Sequence, residues 1–415
     1  MKIHKVSGKI EQKRIGELVG RKELFDRRIA DKVRLVIEDV RKSGDKALID
    51  YTEKFDCVSL DPASIRVSDK EIDDAYGKVD AGVVDAIRKA AKHIKSFYER
   101  IYIQPGCLKD LNGAIAEDRI RPLKSVGIYV PGGRFPYPST VLMNAIPAKA
   151  AGVKEIVMCS PPRTDGGIDP AVLIAASEVG VDKVFKAGGA QAIAAMAYGT
   201  ETVTKVDKIT GPGNIYVTMA KREVFGIVGI DMLAGPSEVL IIADETAPPE
   251  FIAQDMKAQA EHDPDALAVL VTTSQALAEK TGSMADGKNM MAFVVGSLDD
   301  AVRIANILAP EHLEIMTKDN DRLAGEITEA GAIFIGQYTP TAIGDYYAGP
   351  NHTLPTGGTA RFSSPLSVYD FVKRTSVIRY TADALNDVSG TVSKLAEIEG
   401  LVEHLKSIKI RVDKG

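Results

Sequence analysis

From about residue 124 onward, short apolar runs alternate with amphipathic stretches, and few folds accept that pattern. The runs are SVGIYV (125–130), EIVMCS (155–160), KVFKA (183–187), EVLIIAD (238–244), ALAVLVTT (266–273), MMAFVV (290–295) and GAIFIG (331–336). Between most of them lie segments of roughly 10–15 residues with helical spacing. The alternation predicts βαβ units, mainly parallel sheets and right-handed crossovers. Ligand sites are then expected at the carboxyl ends of the strands.

Ahead of this alternation the chain has a helical period. RKELFDRRIADKVRLVIEDVRKSGD (21–45) carries apolar residues three and four apart and stops at Ser43-Gly44. DAGVVDAIRKAAKHIKSFYERI (80–101) repeats the pattern. Residues 348–365 form a long connection rich in glycine, proline and serine, of a kind that is either functional or disordered. After it, LAEIEGLVEHLKSIKIRV (395–412) predicts a helix followed by a short strand-like tail. No short repeat, heptad or low-complexity tract is present.

A chain of 415 residues calls for two or more domains. Its net charge of −5, with signs interspersed, gives no electrostatic reason to expect nucleic acid or a membrane as partner. No apolar run approaches the roughly 20 residues of a membrane span. The start, MKIHKVSGKIEQKR, has no apolar core of a secretory signal. Cys57, Cys107 and Cys159 are far apart and form no CxxC pair, as expected of reduced thiols in a cytoplasmic protein.

Three glycine turns follow apolar runs: YVPGGRFPYPSTVLMNA (129–145), KAGGAQAIAAMAYG (186–199) and KITGPGNIYVTMAKR (208–222). Each sets glycine between strand and helix, with Ser139-Thr140, Gln191 or Asn214 near the helix start. Backbone N–H groups at such starts hold phosphate. The alternative is tight packing turns. Three such turns in one domain favour a nucleotide, although the GxGxxG fingerprint is absent, with Tyr216 where its third glycine would stand.

Of six histidines, four have settings that point to chemistry. Gln259 and His262 share one face of a helix that Pro264 ends. Glu311-His312 lies between a helix and an apolar strand, a pairing suited to proton transfer near neutral pH. Asp345 and His352 fall in a loop, and Glu399 and His404 on a late helix. Imidazole and carboxylate suit zinc, manganese or cobalt, yet no tight metal code such as HExxH appears. On spacing alone, helix-end hydrogen bonding and a metal both remain open for Gln259 and His262.

Taken together, GIYVPGGRFPYPSTVLMNAIPAKAAGV, AGGAQAIAAMAYGTETVTKVDKITGPGN, AGPSEVLIIAD, QAEHDPDA, APEHLEI and GDYYAGPNHTLPTGGTARFSSPLSV resemble the histidinol dehydrogenases, in order and over nearly the whole chain. The resemblance implies an α/β fold with two incomplete Rossmann-like domains, similar to aldehyde dehydrogenases, and small N- and C-terminal helical pieces. It divides the chain into an arm (1–20), a catalytic zinc domain (21–121 plus 236–372), an NAD domain (122–235) and a dimerisation tail (373–415). It implies oxidation of L-histidinol to L-histidine through L-histidinal, with NAD and one zinc per subunit, in a homodimer.

Position by position, the resemblance makes Gln259, His262, Asp345 and His404 metal ligands, and Glu311 and His312 the acid/base pair. Ser237, His352 and Glu399 match substrate contacts, as the metal ligands and His312 also do. Tyr129, Gln191 and Asn214 match NAD contacts. The tail would cross to the partner, so that Glu399 and His404 complete the neighbour's site. Departures such as Phe135-Pro136 after PGGR are local. A cysteine nucleophile is the rival chemistry, but no cysteine falls in these motifs. Two other functions stand as alternatives: oxidation of a different polar alcohol, such as a sulfonated propanediol, and a catalytically silent binding protein. His352, Glu399 and His404 favour histidinol over the first, and the intact Glu311-His312 pair opposes the second.

Overall fold

The computed structural model describes residues 1–6, 15, 26–101, 105–110, 112–132 and 135–413. In chain order the strands are β1 Lys2–Lys5, β2 Cys107–Lys109, β3 Ile115–Pro122, β4 Ser125–Tyr129, β5 Glu155–Ser160, β6 Lys183–Lys186, β7 Lys208–Thr210, β8 Gly229–Ile230, β9 Glu238–Ala243, β10 Leu267–Thr272, β11 Met290–Val294, β12 His312–Met316, β13 Ala332–Ile335 and β14 Val372–Arg379. All seven apolar runs are strands, with ends within a residue or two of those expected. β4, β9, β10 and β12 are buried along their whole length, as parallel strands covered on both faces must be.

Two compact units divide the chain: residues 1–101 with 123–371, and residues 102–122 with 372–415. The first holds two parallel sheets. One has the order β6-β5-β4-β7-β8, the other β1-β11-β10-β9-β12-β13. In each, the chain steps outward to one side of its first central strand and then returns to the other side. The switch points therefore fall between β4 and β7, and between β9 and β12.

The helices Arg27–Asp56 and Ala81–Tyr98 pack on the helices around the five-stranded sheet. The first does not stop at Gly44. That glycine takes φ 54 and ψ −132, kinks the helix, and the helix resumes to Asp56. The part of this helix expected over residues 21–25, and much of the arm expected over residues 1–20, lie outside the described residues.

The glycine-rich loop of residues 348–365 is pinned rather than loose. The Asn351 amide donates to Tyr98 Oη at 3.0 Å, and Thr353 N donates to Asn351 Oδ1 at 2.8 Å. Thr356 Oγ1 accepts from Gly235 N at 2.6 Å.

The second unit pairs β2, β3 and β14 antiparallel and adds the helices Ala382–Ile398 and Val402–Val412. The strand-like tail expected near residue 412 is instead helix. Gly400, at φ 71, breaks the helical run, and Val402–Val412 continues as a second helix. Among its described apolar residues only Ala114, Ala384 and Ala396 are buried, while Leu395, Ile398, Val402 and Ile410 are exposed. No helix among the described residues is long and apolar enough to cross a membrane.

Candidate active site

The glycine turns of the five-stranded sheet meet at the carboxyl ends of its strands, as expected at a switch point. Tyr129 ends β4, and its hydroxyl accepts from Gly189 N at 3.1 Å. Gly188 and Gly189 follow β6 and open the helix Gly189–Tyr198. Gln191, on its first turn, is 1% exposed, and neither polar atom of its amide has a partner. Thr210 Oγ1, at the end of β7, is equally buried and unpartnered. Asn214 is exposed and caps the helix Ile215–Val224, accepting from Tyr216 N at 3.0 Å and Val217 N at 3.2 Å. Buried amide and hydroxyl groups without partners beside a helix start fit a polar ligand such as a dinucleotide.

Asp56 bears on the same region, since its charge interacts with Tyr129. Its Oδ2 is buried without a partner, and burial pushes its carboxyl up to about 6. The folded chain therefore holds this proton more tightly than the unfolded chain. Stability is fully retained below the ordinary carboxylate range and falls as pH rises to about 6. Asp56→Asn removes that cost. It is expected to leave Tm unchanged near pH 4 and to raise it by about 1–3 °C near pH 8. A Tm difference that does not change with pH would refute this account.

The candidate catalytic residues lie at the opposite strand edge. Glu311 and His312 open β12, and Ser237 and Glu238 open β9, so this site sits at the amino ends of the strands. The candidate nucleotide residues thus lie at the carboxyl ends of one sheet, and the candidate catalytic residues at the amino ends of the other. The helix Pro249–His262 returns antiparallel from β9 towards β10, which brings Gln259 and His262, on its last turn, to the amino edge.

His312 is buried, and its Nδ1 lies 3.1 Å from Glu238 O. A carbonyl only accepts, so this bond places the proton on Nδ1 and leaves the Nε2 lone pair open. Nε2 has no hydrogen-bond partner and lies 3.9 Å from Asp345 Oδ1. Burial lowers the imidazole to about 4, so the ring is neutral at neutral pH.

Glu311 Oε2 accepts from Glu238 N at 2.8 Å and stands 3.6 Å from His312 Nδ1. Burial holds this carboxyl well above its usual range, and the charges of Glu238 and Asp345 push the same way. The hydroxyl of Ser237 also bonds to it.

Asp345 does not lie in a loop. It sits in the short helix Thr341–Tyr346, and its carbonyl accepts from His352 Nδ1 at 3.0 Å. By the same logic His352 keeps Nε2 as its lone-pair side. Burial pushes the Asp345 carboxyl up to about 6, and His262 opposes that shift. Gln259 is buried, with Nε2 unpartnered. Gln259, His262, Asp345, His312 and His352 thus belong to one neighbourhood of the first unit. Glu399 and His404 belong to the second unit and are exposed.

Among the described residues no three His, Cys, Asp or Glu side chains stand close enough together to hold a metal by themselves. The donors of the first unit, the His262 imidazole, the Asp345 carboxylate and the Gln259 amide, nevertheless suit a divalent ion such as zinc.

One pair escaped the sequence reading. Glu314, two residues beyond His312 on the same face of β12, bonds to Asp255, one turn before Gln259. Both carboxyls are pushed up by burial, and Glu314 Oε1 accepts from Thr341 N at 3.1 Å. The pair ties together the three elements that carry Gln259, His312 and Asp345. A carboxylate inside an otherwise apolar strand was the available signal. Cys159 is buried in the core, with its thiol pushed up to about 12. A thiol so held is no nucleophile.

Comparison with known proteins bears on this geometry. The family model described as histidinol dehydrogenase matches residues 19–412. A histidinol dehydrogenase of Heliobacterium mobile is 49% identical over 411 residues, covering 95% of this chain and 96% of its own. One of Bacillus subtilis is 48% identical over 396 residues, covering 91% and 92%. The crystal structure of histidinol dehydrogenase from Elizabethkingia anophelis superposes with a TM-score of 0.93 at 37% identity, covering 100% of this chain and 98% of the other.

Proposed function

The chain belongs to the histidinol dehydrogenase family of oxidoreductases in histidine biosynthesis, and from that premise we propose that it converts L-histidinol to L-histidine through L-histidinal in two NAD-linked oxidations. The observation that carries the chemistry is the tautomer of His312. A buried, neutral imidazole with its proton fixed on Nδ1 presents an open lone pair at Nε2.

In this reading zinc, one per subunit, is held by Gln259, His262, Asp345 and His404. When bound, zinc fixes the amino alcohol in place and NAD accepts the electrons of both oxidations. His312 Nε2 takes the proton of the alcohol in the first oxidation and of the aldehyde hydrate in the second. Glu311 takes a proton from the water that adds to the aldehyde between them. A carboxyl held above its usual range is the stronger base once ionised. Ser237, His352 and Glu399 orient the substrate. Tyr129, Gln191 and Asn214 receive NAD, a reading supported by the unpartnered amide of Gln191.

Glu399 and His404 would serve the site of a partner subunit in a homodimer. The support is the second unit's surface, where Leu395, Ile398, Val402 and Ile410 are exposed. Four large apolar side chains exposed on so small a unit favour a cover. The free thiols of Cys57 and Cys107, both exposed, suit the reducing cytoplasm.

The test is the NADH formed per L-histidinol consumed by zinc-loaded protein with excess NAD. Two NADH with histidine as product are expected. One NADH with release of the aldehyde would remove the second oxidation, and activity confined to other alcohols would remove the substrate assignment. Chelation of the metal is expected to abolish turnover and zinc to restore it.

A further inference from the structure

A buried ion pair lies behind the nucleotide loop. Lys221, on the helix Ile215–Val224, pairs with Asp231, just after β8, and the two side chains are 3% and 1% exposed. Both reach the same residue. Lys221 Nζ donates to Gly211 O at 3.0 Å, and Asp231 Oδ2 accepts from Gly211 N at 2.8 Å. Asp231 Oδ1 also accepts from Met232 N at 2.7 Å. The two polar main-chain atoms of one glycine are thus held by opposite charges from two different elements.

That glycine is confined in other ways. Its φ is +111, and a Cβ there would lie 2.1 Å from Tyr129 O. The clamp therefore fixes how the loop after β7 lies against the end of β4. Three residues on, Asn214 caps its helix. One residue before, Thr210 Oγ1 is buried without a partner.

A buried ion pair is a poor way to add stability, because desolvation offsets much of its attraction, and an apolar pair of similar volume is often as stable or more so. Its two hydrogen bonds to Gly211 give it a different use, the setting of one backbone conformation. We propose that Lys221 and Asp231 are positioning residues for the dinucleotide. They hold the loop of residues 211–214 in the form that receives it. This rests on the reading of the five-stranded sheet as the NAD-binding part.

The test separates positioning from stability. Lys221→Met strands Asp231 as a lone buried charge and is expected to lower Tm. The double variant Lys221→Met/Asp231→Asn has no lone charge; its single amide oxygen keeps the bond from Gly211 N and gives up the one from Met232 N, so Tm is expected to return part of the way. Equilibrium binding of NADH, read by its fluorescence, is nevertheless expected to stay weaker by about tenfold. KM for NAD should rise with it, while KM for histidinol stays within about twofold. Amide exchange in residues 211–214 should also quicken in the double variant.

Recovery of NADH affinity together with Tm would overturn the proposal and leave the pair a structural role. So would an equal rise in both KM values. If the unsubstituted protein binds no NADH at all, the nucleotide reading itself falls, an outcome distinct from variants that bind as it does.

Discussion

His312→Asn is expected to lower kcat for histidinol oxidation by about a thousandfold while leaving the fold intact, the range that loss of a general base produces. The asparagine amide can replace Nδ1 as the donor to Glu238 O, the bond that now measures 3.1 Å. Only the lone pair at Nε2 is lost. That atom is buried and has no partner in the protein, so no structural bond goes with it. Tm and zinc content are therefore expected to match the unsubstituted protein. The effect should appear in kcat and kcat/KM alike, as for an interaction made in the transition state. A fall in Tm that parallels the fall in rate would assign His312 to structure. A loss below tenfold would show that another group takes the alcohol proton.

How much of this was legible beforehand depends on what each segment buries. β4, β9 and β10 are buried from end to end because both faces are covered, and their largely apolar runs are evident in the sequence. β2 has three exposed residues and β14 has no buried one, so neither leaves an apolar signature. Gly44 marked a real interruption, but a kink and a helix end look alike in sequence, since both need a residue that tolerates positive φ.

The site was harder for a related reason. Gln259 and His262 share a helix turn, but Asp345, His312 and His352 arrive from other elements, and spacing carries no information about such meetings. The resemblance supplied those roles. What spacing did contain was Glu314 two residues after His312 on a buried strand, and Asp255 one turn before Gln259. Each is a carboxylate at a position that should be apolar, and the structure pairs them behind the site. Lys221 and Asp231 were hidden in the same way, as charges at the rim of a glycine loop read only for its glycines.

Glu311→Gln divides the two half-reactions where His312→Asn does not. The Gln carbonyl can still accept from Glu238 N, now bonded at 2.8 Å, so the start of β9 stays in place. The amide cannot take a proton. On the proposed mechanism the first oxidation asks nothing of that proton site, because the alcohol proton goes to His312. Aldehyde oxidation does ask for it, since water must lose a proton as it adds. Supplied with L-histidinal, the variant is expected to be slower by about a hundredfold or more. Supplied with L-histidinol in a single turnover, it should form its first NADH within about fivefold of the normal rate. Aldehyde should then accumulate, and NADH per histidinol should fall from two towards one. Equal losses in both half-reactions would show that Glu311 acts through the geometry of His312, 3.6 Å away, and not on water.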